Sequence, residues 1–200
     1  MSTHSSHVAH ECDFACLRYF RRLPKGPKPI PTSAVINLSD VFGGNDETAR
    51  FVARYLLSTH CELFFADAAI LVEGAAERIQ VPHFIKHHFE TLHKSYVTLL
   101  EISGSHSHRL SPLIEALGLI TLAITDLDSV DPANHRKKAI PKKGAKLVTS
   151  NPTLKAWHPK KDSIDDLLAL SDQSKIKTYE EVPLFAFRVA YQTSVSIEHG

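Results

Sequence analysis

Two short apolar runs in this chain each end in acidic residues. Residues 69–72 lead into Glu73, and residues 120–125 lead into Asp126 and Asp128. A short apolar run with β-branched residues predicts a buried parallel strand, and the carboxyl ends of such strands line the ligand crevice of an open α/β sheet. Carboxylates that converge on one rim need a counter-charge, so the sequence predicts a divalent cation there.

The type and spacing of these acids indicate which cation and which reaction. Gly74 permits a tight turn behind Glu73, and Glu77 follows at i+4, so both carboxylates share one helix face if the helix has already started there. Asp126 and Asp128 are two positions apart and point to one side of the chain. Such hard oxygen ligands suit Mg²⁺ or Mn²⁺, and two ions could clamp a phosphodiester for hydrolysis. Any one acid alone is explained as well by a helix cap or a surface ion pair, but the two motifs together favour the metal site.

The elements that must position these acids alternate between strand and helix from about residue 66. This alternation indicates βαβ units and a parallel sheet. The apolar positions Val81, Phe84, Ile85 and Leu92 follow a helical spacing, and Pro82 is expected to bend that helix. The predicted elements are a strand ending at 72, a helix over 75–93, a strand over 96–102, a helix over 110–117 stopped by a glycine, a strand ending at 124 or 125, and a late strand over 184–191.

The N-terminal part of the chain has a different character. Residues 1–23 are polar at first and then aromatic and basic, and residues 24–31 hold four prolines. We predict an extended linker over 24–44 and a folded domain over 45–200, which begins with a helix capped by Asn45 or Asp46. Residues 131–161 show no regular pattern.

Composition excludes several classes of protein. The formal net charge of +1 over 200 residues creates no global field of the kind that attracts nucleic acid, so DNA contact would need a local patch. The apolar runs are shorter than the ~20 residues of a membrane span, and the start lacks the pattern of a signal peptide. The cysteines Cys12, Cys16 and Cys61 form no disulfide framework, so we expect a cytoplasmic protein that makes no membrane contact.

The acidic motifs and their neighbours resemble the signature of a Toprim domain, the metal-binding fold of topoisomerases, primases and several nucleases. The resemblance lies in residues 70–77 (ILVEGAAE), in Gly104 and in residues 125–128 (TDLD). The sequence of these stretches is most similar to that of the overcoming-lysogenization-defect (OLD) family of ATP-dependent endonucleases. Further resemblance to that family covers residues 2–7, 64–67, 149–157 and 188–192.

This resemblance implies a Toprim-like parallel sheet flanked by helices and a Mg²⁺- or Mn²⁺-dependent endonuclease acting on DNA. It makes Glu73 a metal ligand and candidate general base, and Gly104 a point of close approach for backbone or phosphate. Residues 1–23 become the C-terminal remnant of an ABC-type ATPase domain, in which His4 belonged to the ATP switch. The remaining ligands of one or two metal ions would be Glu77, Asp126 and Asp128.

Two departures from the family pattern bear on activity. The chain contains no phosphate loop, so we do not expect it to hydrolyse ATP alone. Family members also continue beyond the position of Gly200, so we expect a fragment or truncated homologue. The resemblance suggests a role in phage defence, and it leaves open an ABC-type ATPase domain or chain as partner, a homodimer, and an inactive remnant that binds metal, DNA or that ATPase.

One basic run follows the second acidic motif and could hold the phosphate backbone of DNA, with a solvated loop as the equal alternative. A phosphoacceptor receiver domain would also collect acids around Mg²⁺, but its acidic pair would follow the first strand, the reverse of the order here. His83 and His87 lack the glutamate of a zinc-protease motif, and Trp157 is expected to be a packing anchor. The predicted DNA-binding residues are Arg136, Lys137, Lys138, Lys142, Lys143 and Lys146.

Overall fold

A computed structural model describes residues 2–12, 16–23, 32–42, 46–102, 106–179 and 185–193. Gly104, the proline-rich residues 24–31 and the predicted cap Asn45 lie outside the described residues. Within the described part of the chain, no helix is long and apolar enough to cross a bilayer.

A five-stranded sheet forms the centre of the fold and confirms the predicted α/β class. The strands are β3 (Ala68–Val72), β4 (Val97–Glu101), β5 (Ile120–Ile124), β9 (Ile176–Thr178) and β10 (Ala186–Ala190). Their order in the sheet is β4-β3-β5-β10-β9, with the first four strands parallel and β9 antiparallel to β10. The strand ends predicted at 72 and 124 are confirmed.

The helices between these strands follow the predicted order with one break. The helix predicted over 75–93 is two helices, α3 (Ala75–His88) and α4 (Glu90–His93), separated at Phe89, whose backbone is not helical. α5 (Ser111–Leu117) ends as predicted at Gly118, which takes the left-handed conformation with φ 66°. α2 (Asp46–Thr59) buries Val52 and Leu56 in the core.

The apolar face of α3 departs from the expectation for an amphipathic helix, because α3 buries none of its residues. Ile79 is 75% exposed and Phe84 is 51% exposed. The helix contacts α4 and β4, and β4 is the edge strand of the sheet. A helix at the edge of a sheet has little neighbouring surface to cover it, so apolar spacing here does not lead to burial.

The N-terminal residues pack with the rest of the described chain. α1 (Ser6–Glu11) contacts α2 and residues 61–65. β1 (Arg18–Arg22) and β2 (Ser33–Asn37) form an antiparallel pair, so a strand lies inside the segment predicted as a linker. Leu38 and Phe42, also in that segment, belong to the core. The domain boundaries themselves stay a prediction.

A small three-stranded sheet begins at Ser129 and continues through the segment without a regular sequence pattern. β6 (Ser129–Asp131) pairs on one side with β7 (Lys137–Lys138) and on the other with β8 (Val148–Thr149). Strands this short show no alternation that a sequence could reveal. A π-helical turn (Thr153–Trp157) and α6 (Ile164–Ala169) follow.

Trp157 is buried at the end of the π-helical turn and confirms its predicted role in packing. Its ring stacks on Phe187 of β10 with 3.7 Å between ring centroids. Its indole nitrogen donates to the Glu115 carboxylate at 3.3 Å. This contact fastens the turn that follows β8 to the central sheet.

Candidate active site

The two acidic motifs leave the central sheet side by side. β3 and β5 are adjacent and parallel, with Leu71 opposite Ala123. Glu73 follows the end of β3, and Asp126 and Asp128 follow the end of β5. Parallel neighbours end at the same edge of a sheet, so the three acids emerge at one rim as the sequence predicts. We refer to these three acids together with Glu77 as the acidic edge.

The Glu73 carboxylate is half-buried and receives several hydrogen bonds from the β5 side of the rim. Its Oε1 accepts from the hydroxyl of Thr125 and from the backbone N–H of Asp126 at 3.3 Å. The same oxygen accepts from Nδ2 of Asn151 at 3.0 Å. These donors fix the first acidic motif to the second.

Asp128 is held from the same direction. Its Oδ2 accepts from Asn151 Nδ2 at 3.3 Å, and its carbonyl oxygen accepts from the backbone N–H of Ser150 at 2.9 Å and from the Ser150 hydroxyl at 3.0 Å. Asp128 also has a positive φ of 43°. Such a backbone is uncommon outside glycine, and aspartate tolerates it better than most residues. Nδ2 of Asn151 thus donates to the carboxylates of both Glu73 and Asp128.

Asp126 is exposed and makes a separate contact with the chain after β10. Its Oδ1 accepts from the side-chain amide of Gln192. The carbonyl of that amide in turn accepts from the backbone N–H of Leu127 at 3.0 Å. Gln192 thus orients the Asp126 carboxylate through a two-point contact.

Glu77 lies in the first turn of α3, which begins after Gly74. A Cβ placed on Gly74 would lie 3.3 Å from Oε2 of Glu77. The Glu77 carboxylate therefore lies against the residue that follows Glu73. α3 begins at Ala75 with Gly74 as its N-cap, so Glu73 precedes the helix and the condition for a helix face shared with Glu77 is not met.

The acidic edge is assembled around hydrogen-bond donors. Within the described ranges, no group of three or more His, Cys, Asp or Glu side chains is arranged so that it could hold a metal ion. Carboxylates repel one another unless a positive group lies between them, and in this arrangement Glu73, Asp126 and Asp128 take amide or hydroxyl donors. The acidic edge still offers the type of ligand that Mg²⁺ and Mn²⁺ prefer, since all its candidate side-chain ligands are carboxylate oxygens.

An ion pair lies next to the acidic edge at the end of β4. Arg78 of α3 is 3.4 Å from the carboxylate of Glu101, and the Tyr55 hydroxyl donates to the Glu101 carbonyl at 2.7 Å. Burial, together with the nearby Glu101 charge, raises the pKa of Tyr55 well above its ordinary value. Tyr55 therefore stays protonated and joins α2 to the strand beside β3.

The predicted DNA-binding residues lie on exposed backbone beyond β6. Three of them belong to the turn and strand that lead through β7, and the other three to the loop before β8. Because β7 pairs with β6, which begins directly after Asp128, the first three are one strand away from the acidic motif. We refer to the six as the basic strip: Arg136, Lys137, Lys138, Lys142, Lys143 and Lys146.

The histidines considered in the sequence analysis belong to neither the acidic edge nor the basic strip. His4 is exposed and precedes α1. His83 and His87 are exposed on α3, with 4.4 Å between their ring centroids.

Sequence reasoning assigned no role to Thr125, Asn151 or Gln192, although each contacts an acidic-edge carboxylate. All three lie inside stretches that resemble the OLD family, and that was their only signal in the sequence.

Comparison with known proteins bears on this geometry. Residues 64–128 match the Toprim domain of overcoming lysogenization defect protein-like proteins. The matched range includes both acidic motifs and three strands of the central sheet. The chain is also 28% identical, over 152 residues, to Endonuclease GajA of Bacillus cereus (strain HuB5-5). That similarity covers 75% of this chain, and the chain spans 20% of the length of that relative.

Proposed function

Residues 64–128 form an OLD-like Toprim domain, and on this premise we propose that the acidic edge hydrolyses phosphodiester bonds of DNA with Mg²⁺ or Mn²⁺. The similar protein from Bacillus cereus is named as an endonuclease, which supports nuclease chemistry in general. The observation that carries the proposal is the meeting of Glu73 and Asp128, from two different strands, at one nitrogen of Asn151.

The residues of the acidic edge divide the chemistry between them. Asp126 and Asp128, with Glu73 and Glu77, are the residues that would hold the metal. A bound divalent cation supplies charge stabilisation to the phosphate and to the leaving oxygen. Glu73 is placed to take the proton of the attacking water, since its carboxylate is fixed by three donors and half-buried.

The basic strip holds the DNA backbone beside the acidic edge. Its six cationic side chains are exposed and follow the second acidic motif in the chain. Contacts of this kind are sequence-independent and salt-sensitive, because each phosphate that is neutralised releases bound counterions. The strip therefore retains DNA without selecting a sequence.

Partners beyond DNA follow from the resemblance of residues 2–7 to the end of an ABC-type ATPase domain. We propose that the chain works with an ABC-type ATPase domain or chain, to which residues 1–23 and His4 belong. A homodimer, a cytoplasmic location and a role in phage defence complete the proposal.

A nicking assay on supercoiled plasmid tests the function. The chain is compared with Glu73→Ala and Asp126→Ala in Mg²⁺, in Mn²⁺ and in EDTA. We expect cleavage only with metal, and a loss of about 100-fold or more in each variant, since removing even an outer-shell partner of a metal costs 10- to 100-fold. Glu90→Ala, an exposed change on α4, is the matched control and should cut like the unchanged chain.

The second candidate function is a non-catalytic Toprim domain that binds metal, DNA or a partner ATPase. What favours it is that the Glu73, Asp126 and Asp128 carboxylates are already bonded to amide donors of the chain itself. The same assay separates the two. Equal cutting by the chain and both variants removes the enzymatic proposal, and metal binding without any cutting selects the second function.

A further inference from the structure

Asn151 is a fully buried polar residue in the turn between β8 and the π-helical turn. Its own backbone N–H donates to the Thr149 hydroxyl at 2.9 Å, and its Oδ1 accepts from the backbone N–H of Thr153 at 2.9 Å. These contacts fix which end of the amide faces inward. Oδ1 is held by the turn, and Nδ2 points to the acidic edge.

Four oxygen atoms surround that nitrogen. Oxygens of both acidic motifs take part, as do a side-chain hydroxyl and a backbone carbonyl. An amide nitrogen has two hydrogens, so it cannot serve four acceptors at full strength at the same time. The four oxygens and their distances from Nδ2 are Thr125 Oγ1 at 2.7 Å, the carbonyl of Asp126 at 2.9 Å, Glu73 Oε1 at 3.0 Å and Asp128 Oδ2 at 3.3 Å.

We propose that Asn151 is the positioning residue of the acidic edge, which keeps the Glu73 and Asp128 carboxylates side by side for the binding of a divalent cation. The inference rests on the proposed function and adds a residue to it. Asn151 contacts the carboxylates and not the reacting atoms, so it acts through them. A buried donor between two carboxylates lowers their repulsion and prevents them from turning to solvent.

The position of Asn151 suits this role better than that of Gln192. Asn151 is buried and fixed at both ends of its amide, whereas Gln192 is exposed and contacts Asp126 and Leu127. A side chain whose rotamer is locked by surrounding contacts keeps its partners within the narrow geometry that a metal site requires. Asn151 therefore couples the first and second acidic motifs, in addition to the direct bonds from Thr125 and Asp126 to Glu73.

The test measures Mn²⁺ binding without DNA, by titration calorimetry on the full chain. Asn151→Ser is the central variant, because a serine oxygen can still accept from the Thr153 N–H while the amide nitrogen is removed. We expect Asn151→Ser and Asn151→Ala both to bind Mn²⁺ 10- to 100-fold more weakly, the range found for outer-shell partners of a metal. Asn134→Ser, in the exposed turn before β7, is the matched control and should leave the affinity unchanged.

The possible outcomes separate the inference from its premise. No Mn²⁺ binding by the unchanged chain counts against the proposed function itself. Binding by the unchanged chain with Asn151→Ala within threefold of it overturns the positioning role alone. Binding that is weak in Asn151→Ala and normal in Asn151→Ser also overturns it, because the residue would then serve only the turn.

A second measurement applies if the variants fail to fold. The side-chain amide resonance of Asn151 in the unchanged chain should shift during a Mg²⁺ titration, with the midpoint of metal binding. A resonance that stays in place while Mg²⁺ saturates the site overturns the inference.

Discussion

The basic strip follows the second motif of the acidic edge closely in sequence, yet the edge and the strip are built in opposite ways. The carboxylates are held by hydrogen bonds that cross long stretches of chain, such as the bond from Asn151 to Glu73 and the bond from Gln192 to Asp126. The cationic side chains stand on the two-residue edge strand β7, on the turn before it and on a loop, and all six are exposed.

This difference matches the two tasks proposed for them. Hydrolysis depends on atoms held within a fraction of an ångström, which requires side chains whose neighbours fix them. Retention of DNA depends on the number of charges near the phosphates and tolerates movement. We therefore expect changes in the acidic edge and in the residues that support it to affect folding or catalysis. Changes in the basic strip should affect the salt-dependent affinity for DNA.

The largest expected effect concerns the support under the acidic edge. Trp157→Ala removes a buried ring stacked on Phe187 and should lower the free energy of unfolding by about 3–5 kcal/mol, the usual cost of a large-to-small change in a core. Urea unfolding followed by circular dichroism measures it. Lys138→Ala in the basic strip is the control and should stay within about 0.5 kcal/mol. A loss below about 1 kcal/mol for Trp157→Ala would contradict this distinction.

The second effect concerns catalysis. Asp128→Asn keeps the shape of the side chain and removes one ligand charge, so we expect kcat to fall by about 100-fold or more, while DNA affinity in EDTA is unchanged or higher. Single-turnover cleavage and a filter-binding assay give the two quantities.

Asp131→Asn is the matched control for that change. Asp131 lies three positions further along, and its Oδ1 accepts from the backbone N–H of Ala133 at 2.9 Å. Asparagine keeps this acceptor and removes the same charge. If Asp131→Asn lowers kcat as much as Asp128→Asn does, general charge and not metal ligation explains the loss.

The third effect concerns retention of DNA. Reversing the charge of Lys137, Lys138, Lys142 and Lys143 should weaken binding and reduce the slope of log affinity against log salt by up to about 3.6, or 0.9 for each lost phosphate contact. The slope is measured between about 50 and 200 mM salt. Reversal of the exposed pair Lys160 and Lys161 serves as control. An unchanged slope in the fourfold variant would show that the basic strip is a solvated loop.

The same contrast shows what sequence can predict. The strand ends at Val72 and Ile124 and the emergence of the acids at one rim follow from short apolar runs and the geometry of parallel sheets. Asn151 could not be assigned a role in this way. Its contact with Glu73 joins residues 78 positions apart, and it lies between elements of two to five residues that carry no periodic signal.

The exposed face of α3 shows a different limit. Val81 and Ile85 are four positions apart and share one face of α3, yet both are only partly buried. Whether that face is buried depends on which element lies over it, and this depends on the position of α3 beside the edge strand β4. Periodicity describes one helix, whereas burial is a property of the whole arrangement.

The smallest expected effect has the opposite sign for stability and for binding. Arg136 has a left-handed backbone with φ 56°, which costs a residue with a Cβ roughly 1–2 kcal/mol and costs glycine almost nothing. After allowance for the greater freedom of glycine in the unfolded chain, Arg136→Gly should stabilise the fold by about 0.5 kcal/mol and weaken DNA binding slightly.

Lys138→Gly, within β7, is the control and should destabilise the fold, because glycine weakens a strand. Urea unfolding and filter binding on both variants provide the measurement. If Arg136→Gly destabilises the chain as Lys138→Gly does, the Arg136 side chain contributes to folding, and the basic strip is not the purely electrostatic surface contrasted here with the acidic edge.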